Sequence, residues 1–157
     1  MIEKKLEIKY CEYESADELE PRDRELFDAA VSALQGSYAP YSNFNVGAAV
    51  RLGNGLMVKG ANQENSAYPS GLCAERTAMF SAASRYPDQP IVAIALVAAQ
   101  HGVLQPAPTY PCGACRQVMA QYQQKAGTPM RIIVGSGKAV QIFDGVESLL
   151  PFIFDDI

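Results

Sequence analysis

Nine consecutive residues, Ile91-Val92-Ala93-Ile94-Ala95-Leu96-Val97-Ala98-Ala99, carry no polar side chain. The run is too short to span a membrane as a helix, and it lacks the alternation that leaves one face wet. It reads as a strand buried on both faces. Such a strand needs one layer of structure above it and another below. A second buried strand is expected at residues 130–134, and a last one at 139–143 after the Gly135-Ser136-Gly137 turn. Residues 46–50 and 56–58 flank Gly53-Asn54-Gly55 and read as a β-hairpin. Helices are expected in three places. Pro21 suits a first helical position, and Leu26, Phe27, Ala30, Val31 and Leu34 recur at helical spacing up to Gly36. Residues 73–85 are Ala-rich with charges at the start, and residues 112–125 are closed by Gly127. Residues 5–10 alternate charged and apolar, which predicts a sheet-edge strand, followed by an acidic linker to residue 20. Leu149-Leu150 are expected on a short final helix. The pattern implies a layered α/β domain around a mixed sheet.

Composition narrows the function classes. The chain has 157 residues, 48% of them hydrophobic and 19% charged, which suits one domain with a full core. Its net charge of −4 argues against a nucleic-acid partner. With no long apolar run and no basic, apolar leader, no membrane partner is expected, and the cytoplasm is the expected location. The four cysteines, Cys11, Cys73, Cys112 and Cys115, are then ligands, nucleophiles or core filler. The lone histidine, His101, excludes a His-rich metal site.

Two groups carry chemistry: Cys73-Ala74-Glu75-Arg76 and Pro111-Cys112-Gly113-Ala114-Cys115-Arg116. Each stands where a loop becomes a helix, so the positive end of the helix dipole favours thiolates. Cys112 and Cys115 share a face of one helical turn and can chelate one ion, with Cys73 arriving from the other helix. Three protein ligands and one open position suit a catalytic zinc, which lowers the pKa of a bound water. Glu75, two residues from Cys73, is placed to carry a proton between water and substrate. Three thiolates leave zinc formally negative, so a neighbouring arginine is needed to offset that charge. Arg76 is favoured for this over Arg116.

Other readings use the same residues. Cys112 and Cys115 alone suit a redox pair, and a closed structural zinc site would need Cys11 or His101 as fourth ligand. Glu75 separates a hydrolytic site from a purely structural one, which has no use for it.

The order Cys73-Ala74-Glu75…Pro111-Cys112-Gly113-Ala114-Cys115 is the signature of zinc deaminases with three cysteine ligands. The chain resembles the small, three-cysteine cytidine deaminases from about Ala30 to Leu150. The likeness runs through the blocks at residues 38–44, 46–49, 62–65, 68–78, 111–118 and 149–151. It implies a three-layer α/β/α fold around a roughly five-stranded mixed sheet, with residues 21–157 as the catalytic domain and 1–20 as an extension. It implies one Zn2+ per subunit on Cys73, Cys112 and Cys115, and Glu75 as proton shuttle. Phe44 would pack on the pyrimidine, Asn62 and Glu64 would bind the ribose, and the backbone at Ala74 would contact the base. The implied partners are a nucleoside and further copies of the chain in a homotetramer, with Tyr68 and Phe154 reaching a neighbour's site. Residues 152–157 depart from the usual tail, so Phe152 is an alternative to Phe154. The implied reaction is hydrolytic deamination of cytidine and deoxycytidine in pyrimidine salvage. A related aminopyrimidine nucleoside, polynucleotide editing and a non-enzymatic zinc-stabilised role are the rival readings.

Overall fold

The computed structural model describes residues 1–155. Asp156 and Ile157, counted above with the catalytic domain and its tail, lie outside the described residues. In chain order the elements are β1 (Cys11–Tyr13), α1 (Pro21–Ala33), β2 (Phe44–Leu52), β3 (Met57–Ala61) and α2 (Ala74–Arg85). They continue with β4 (Ile91–Gln100), β5 (Val103–Leu104), α3 (Gly113–Ala126), β6 (Arg131–Gly135) and β7 (Val140–Asp144).

The strands form one sheet in the order β1-β7-β6-β4-β2-β3, with β5 folded back on β4. Among the described residues only strands β4 and β6 pair in parallel; the other strand pairs are antiparallel. The sheet is therefore mixed, as expected, but among the described residues it has seven strands rather than about five. The additions are β1 and β5, each of three residues or fewer.

β4 lies inside the sheet and is buried along nearly its whole length, as the apolar run requires. Its side chains alternate between two cores. Ile94 and Leu96 point toward α2 and α3, where Val50, Met79, Met119 and Ile132 meet them. Ala93, Ala95 and Val97 face α1, packed with Leu26, Phe27 and Ile133. Each large aliphatic side chain buried in this way contributes about 1.5–3 kcal/mol. The three layers are thus α1, the sheet, and the pair α2 and α3.

Two glycines set how closely the helices approach. A Cβ at Gly47 on β2 would strike the backbone at Ala30 of α1 and at Leu34 just after it, and a Cβ at Gly60 on β3 would strike the α2 backbone at Ala78 and Ala74. Gly60 therefore lets the first turn of α2 settle onto the sheet. Gly127 ends α3 in the left-handed conformation, φ 70°, where glycine carries no Cβ penalty.

The structure corrects two expected elements. Residues 5–10 form no strand; the N-terminal strand is Cys11–Tyr13, paired with β7 at the sheet edge. Alternation alone does not set register, and the β7 partners of this edge, from Ile142 to Val140, take Cys11 to Tyr13 instead. Leu149 and Leu150 follow a 3-10 turn at Val146–Ser148 rather than forming a helix, and Leu149 packs into the larger core. The expected linker holds a further 3-10 turn, Ala16–Glu18, capped by the Ser15 hydroxyl. Among the described residues no helix is long and apolar enough to cross a membrane.

Candidate active site

The starts of α2 and α3 meet. Cys73 is the residue before α2, Cys112 the residue before α3, and Cys115 lies in the first turn of α3. Their three sulfurs lie within 4.8 Å of one another. Cys73 Sγ is 3.8 Å from Cys112 Sγ, and Cys112 Sγ is 3.6 Å from Cys115 Sγ. Sulfurs around a tetrahedral zinc, with Zn–S near 2.3 Å, stand about 3.8 Å apart. Two of the three separations match that spacing and the third lies within 4.8 Å, so the donor set suits that ion. Cys11, on β1, and His101, in the turn after β4, are not among the clustered residues.

Beside the sulfurs lies a cavity of about 470 Å³. Phe44 and Val46 of β2 and Leu96 of β4 line it, with Ala74 and Glu75 at the start of α2 and Tyr110 in the loop before α3. Apolar atoms contribute most of its surface, with Ser42, Asn62, Glu64, Glu75 and Thr109 as the polar groups among them, the usual form of a small-molecule site. Glu75 is 4% exposed, and burial raises its carboxyl to about 7. A group at that value can both take and give a proton near neutrality.

The thiols are unequal. The hydrogen bond from Cys115 is the main cause that brings Cys73 down to about 5; burial opposes it, and Arg76 assists. Cys115 is held far above the ordinary thiol range, first by that same hydrogen bond and then by burial. Arg76 Nη2 donates to Cys73 Sγ at 3.4 Å. Arg116 makes no such contact. Its Nε donates to the Pro111 carbonyl at 2.8 Å and its Nη1 to the Leu149 carbonyl at 2.5 Å. It fastens the loop before α3 to the C-terminal turn.

Asn62 and Glu64, which also line the cavity, are engaged by the chain itself. Asn62 Oδ1 accepts from Val46 N at 2.8 Å and from the Ser37 hydroxyl at 2.5 Å, while its Nδ2 donates to the Phe44 carbonyl at 2.8 Å. Glu64 accepts from Tyr41 N at 2.9 Å, from Ser42 N and from the Ser42 hydroxyl. The Ser42 hydrogen bond is the main cause that holds Glu64 below the usual carboxylate range. Both residues line this cavity and a neighbouring one of about 440 Å³ that also holds Tyr41, Tyr68 and Arg76.

Residues 20–128 match the family described as the cytidine and deoxycytidylate deaminase zinc-binding region. The chain belongs to this deaminase family. A cytidine deaminase of Halalkalibacterium halodurans is 49% identical over 96 residues, which cover 61% of this chain and 68% of that protein. One from Sporosarcina psychrophila is 47% identical over 90 residues, 57% of this chain and 62% of the relative. The crystal structure of a cytidine deaminase from Burkholderia pseudomallei superposes with a TM-score of 0.70 at 39% identity, covering 83% of this chain and 97% of that one. The family's region binds zinc, and the three-sulfur cluster is where this deaminase chain fits the ion.

The remaining site residues expected from the sequence are dispersed. Tyr68 is 77% exposed and meets Tyr41 edge-on with centroids 6.2 Å apart. Phe154 is 70% exposed and Phe152 89%; the Phe154 carbonyl accepts from Gln117 of α3. Neither phenylalanine lines the cavity of its own chain. Sequence reading did not single out Tyr110 or Ser42. Ser42 belongs to a Tyr/Pro/Ser loop whose residues gave no local sign of holding a carboxylate. Tyr110 directly precedes the Pro111-Cys112 motif, and that adjacency was the available signal.

Proposed function

We infer that the chain catalyses the zinc-dependent hydrolytic deamination of cytidine and deoxycytidine to uridine and deoxyuridine. The observation that carries this reading is the position of Glu75. It is a buried carboxyl raised to about 7, in an apolar slot beside three sulfurs spaced for one metal ion. A non-catalytic metal site has no use for such a group.

Zinc held by Cys73, Cys112 and Cys115 supplies, when bound, acidification of a water that serves as nucleophile near neutral pH. The side chains do the rest. Phe44 and the apolar floor at Val46 and Leu96 receive the pyrimidine face and exclude bulk water. The backbone at Ala74 contacts the base edge. Glu75 takes the proton of the attacking water, delivers it to ring N3, and then helps the C4 amino group leave as ammonia. One C4–O bond forms, one C4–N bond breaks, and no electron is transferred to any other partner. Arg76 offsets the thiolate charge through Cys73. Glu64, held as a carboxylate by Ser42, and the second Nδ2 hydrogen of Asn62 read the ribose hydroxyls.

The same reading assigns the chain to a homotetramer. The exposed rings of Tyr68 and Phe154 support it, since large apolar groups left bare on a single copy suit burial in a neighbour. Residues 21–157 form the catalytic unit, residues 1–20 an extension, and nucleoside salvage in the cytoplasm is the setting.

The test is the loss of the cytidine absorbance band on adding the zinc-loaded protein, run beside E75Q at matched zinc content. Wild type consumes cytidine, and E75Q is slower by about 100- to 10,000-fold. Equal rates in the two would overturn the role of Glu75.

A further inference from the structure

We propose that the N-terminal strand is a positioning strap for the nucleoside cavity, acting on Tyr110 through Gln141. This inference rests on the reading of the cavity as a nucleoside site. Tyr110 lines that cavity and leads directly into Pro111-Cys112. Its hydroxyl donates to Gln141 Oε1 at 2.7 Å. Gln141, on β7, is 6% exposed, and its Nε2 donates to Glu12 Oε2 at 2.5 Å. Glu12 and Gln141 are register partners across the β1–β7 pair.

The order of donors in this chain is set at its outer end. An ionised carboxylate only accepts, so Glu12 turns the Gln141 amide with its NH2 outward and its carbonyl inward. The inward carbonyl in turn requires the Tyr110 hydroxyl to donate to it. The ring of Tyr110 is thereby fixed in azimuth, and its edge rests on Phe143 with centroids 6.4 Å apart at 71°. Tyr10 stacks on the same Phe143 ring at 5.2 Å and 27°. Two residues just before and within β1 therefore brace one wall of the cavity without touching it. Tyr110 is 45% exposed, so packing alone leaves it room to swing. Glu12 and Tyr10 are positioning residues, and Tyr110 is the wall they position.

The experiment compares E12A, Y110F, the double variant and E12Q in the full-length, zinc-loaded protein, reading KM and kcat for cytidine separately. Loss of one link in such a chain raises KM about five-fold, the scale of one hydrogen bond, with kcat and zinc content little changed. E12A and Y110F give the same rise, and the double variant is no worse than either, because both break one chain. E12Q keeps an acceptor oxygen but adds a donor that can reverse the Gln141 amide, so it restores KM only in part and stays between E12A and wild type. A fall in melting temperature of E12A with KM unmoved would overturn the proposal, as would additive effects in the double variant. A wild-type protein with full zinc that leaves cytidine intact counts against the deamination reading alone. The strap is then read from the cytidine affinities of the same proteins by calorimetry, and equal affinities would overturn it.

Discussion

The starts of α2 and α3 look alike in sequence and differ in the structure. Each has a cysteine just outside the helix and an arginine within the first turn, Cys73 with Arg76 and Cys112 with Arg116. At α2 the turn is sunk in the molecule: Ala74 is fully buried and Glu75 nearly so. Its arginine faces a sulfur. At α3, Cys112, Gly113 and Ala114 are exposed, and the arginine faces two backbone carbonyls. Both helices bring sulfur to the cluster, but the arginine meets a sulfur at one and fastens backbone at the other. What separates them is the surface below. Gly60 admits α2 to close contact with β3, whereas a Cβ at Gly113 would meet nothing within 4 Å.

The largest effects should be common to both helices, because both supply sulfur. C73S, C112S and C115S each lower zinc affinity by more than the roughly 10- to 100-fold that follows loss of an outer partner. Zinc per chain after dialysis against a chelator measures this, and a variant that stays fully loaded removes its cysteine from the ligand set. Next comes G60A. Its new Cβ meets backbone rather than a flexible side-chain tip, so the protein loses about 2 kcal/mol or more. Chemical denaturation checks it; an unchanged midpoint would show that α2 does not need its close seat.

The arginines should part company more gently. R76Q weakens zinc binding or turnover about tenfold with little change in stability. R116A does the reverse. It loses two charged hydrogen bonds to carbonyls, about 1–2 kcal/mol together at a half-buried site, while zinc content and kcat stay near wild type. Thermal melts paired with turnover distinguish the two, and identical behaviour would erase the difference drawn between the helices. The smallest effect is expected of G113A, which gains helix propensity in open space and stabilises by a few tenths to about 1 kcal/mol.

These contrasts also mark what a linear reading reaches. The three helices, the hairpin and the buried strands follow from local periodicity and turn residues, and their structural bounds lie within a few residues of those expected. The pairing of Cys112 with Cys115 is a local fact of helical spacing. Arg116 was not legible, because its carbonyl partners include Leu149, 33 residues away. The failed strand at residues 5–10 has the same origin: alternation predicts strand character, but only the β7 edge decides which residues pair. Tyr110 stayed hidden because the groups that hold it are distant along the chain: Gln141 lies 31 residues from Tyr110, and Glu12 lies 129 residues from Gln141.

Cys73 and Cys112 are 39 positions apart along the chain and 3.8 Å apart in space. An ion that joins them closes a loop of that length, as a covalent staple would. Restricting an unfolded chain in that way is worth roughly 3–5 kcal/mol on the scale of cross-links closing loops of this size. The reaction centre is thus also a reversible rivet between the two ends of the β4 unit. A cell that runs short of zinc would lose not only turnover but part of the standing population of folded chains.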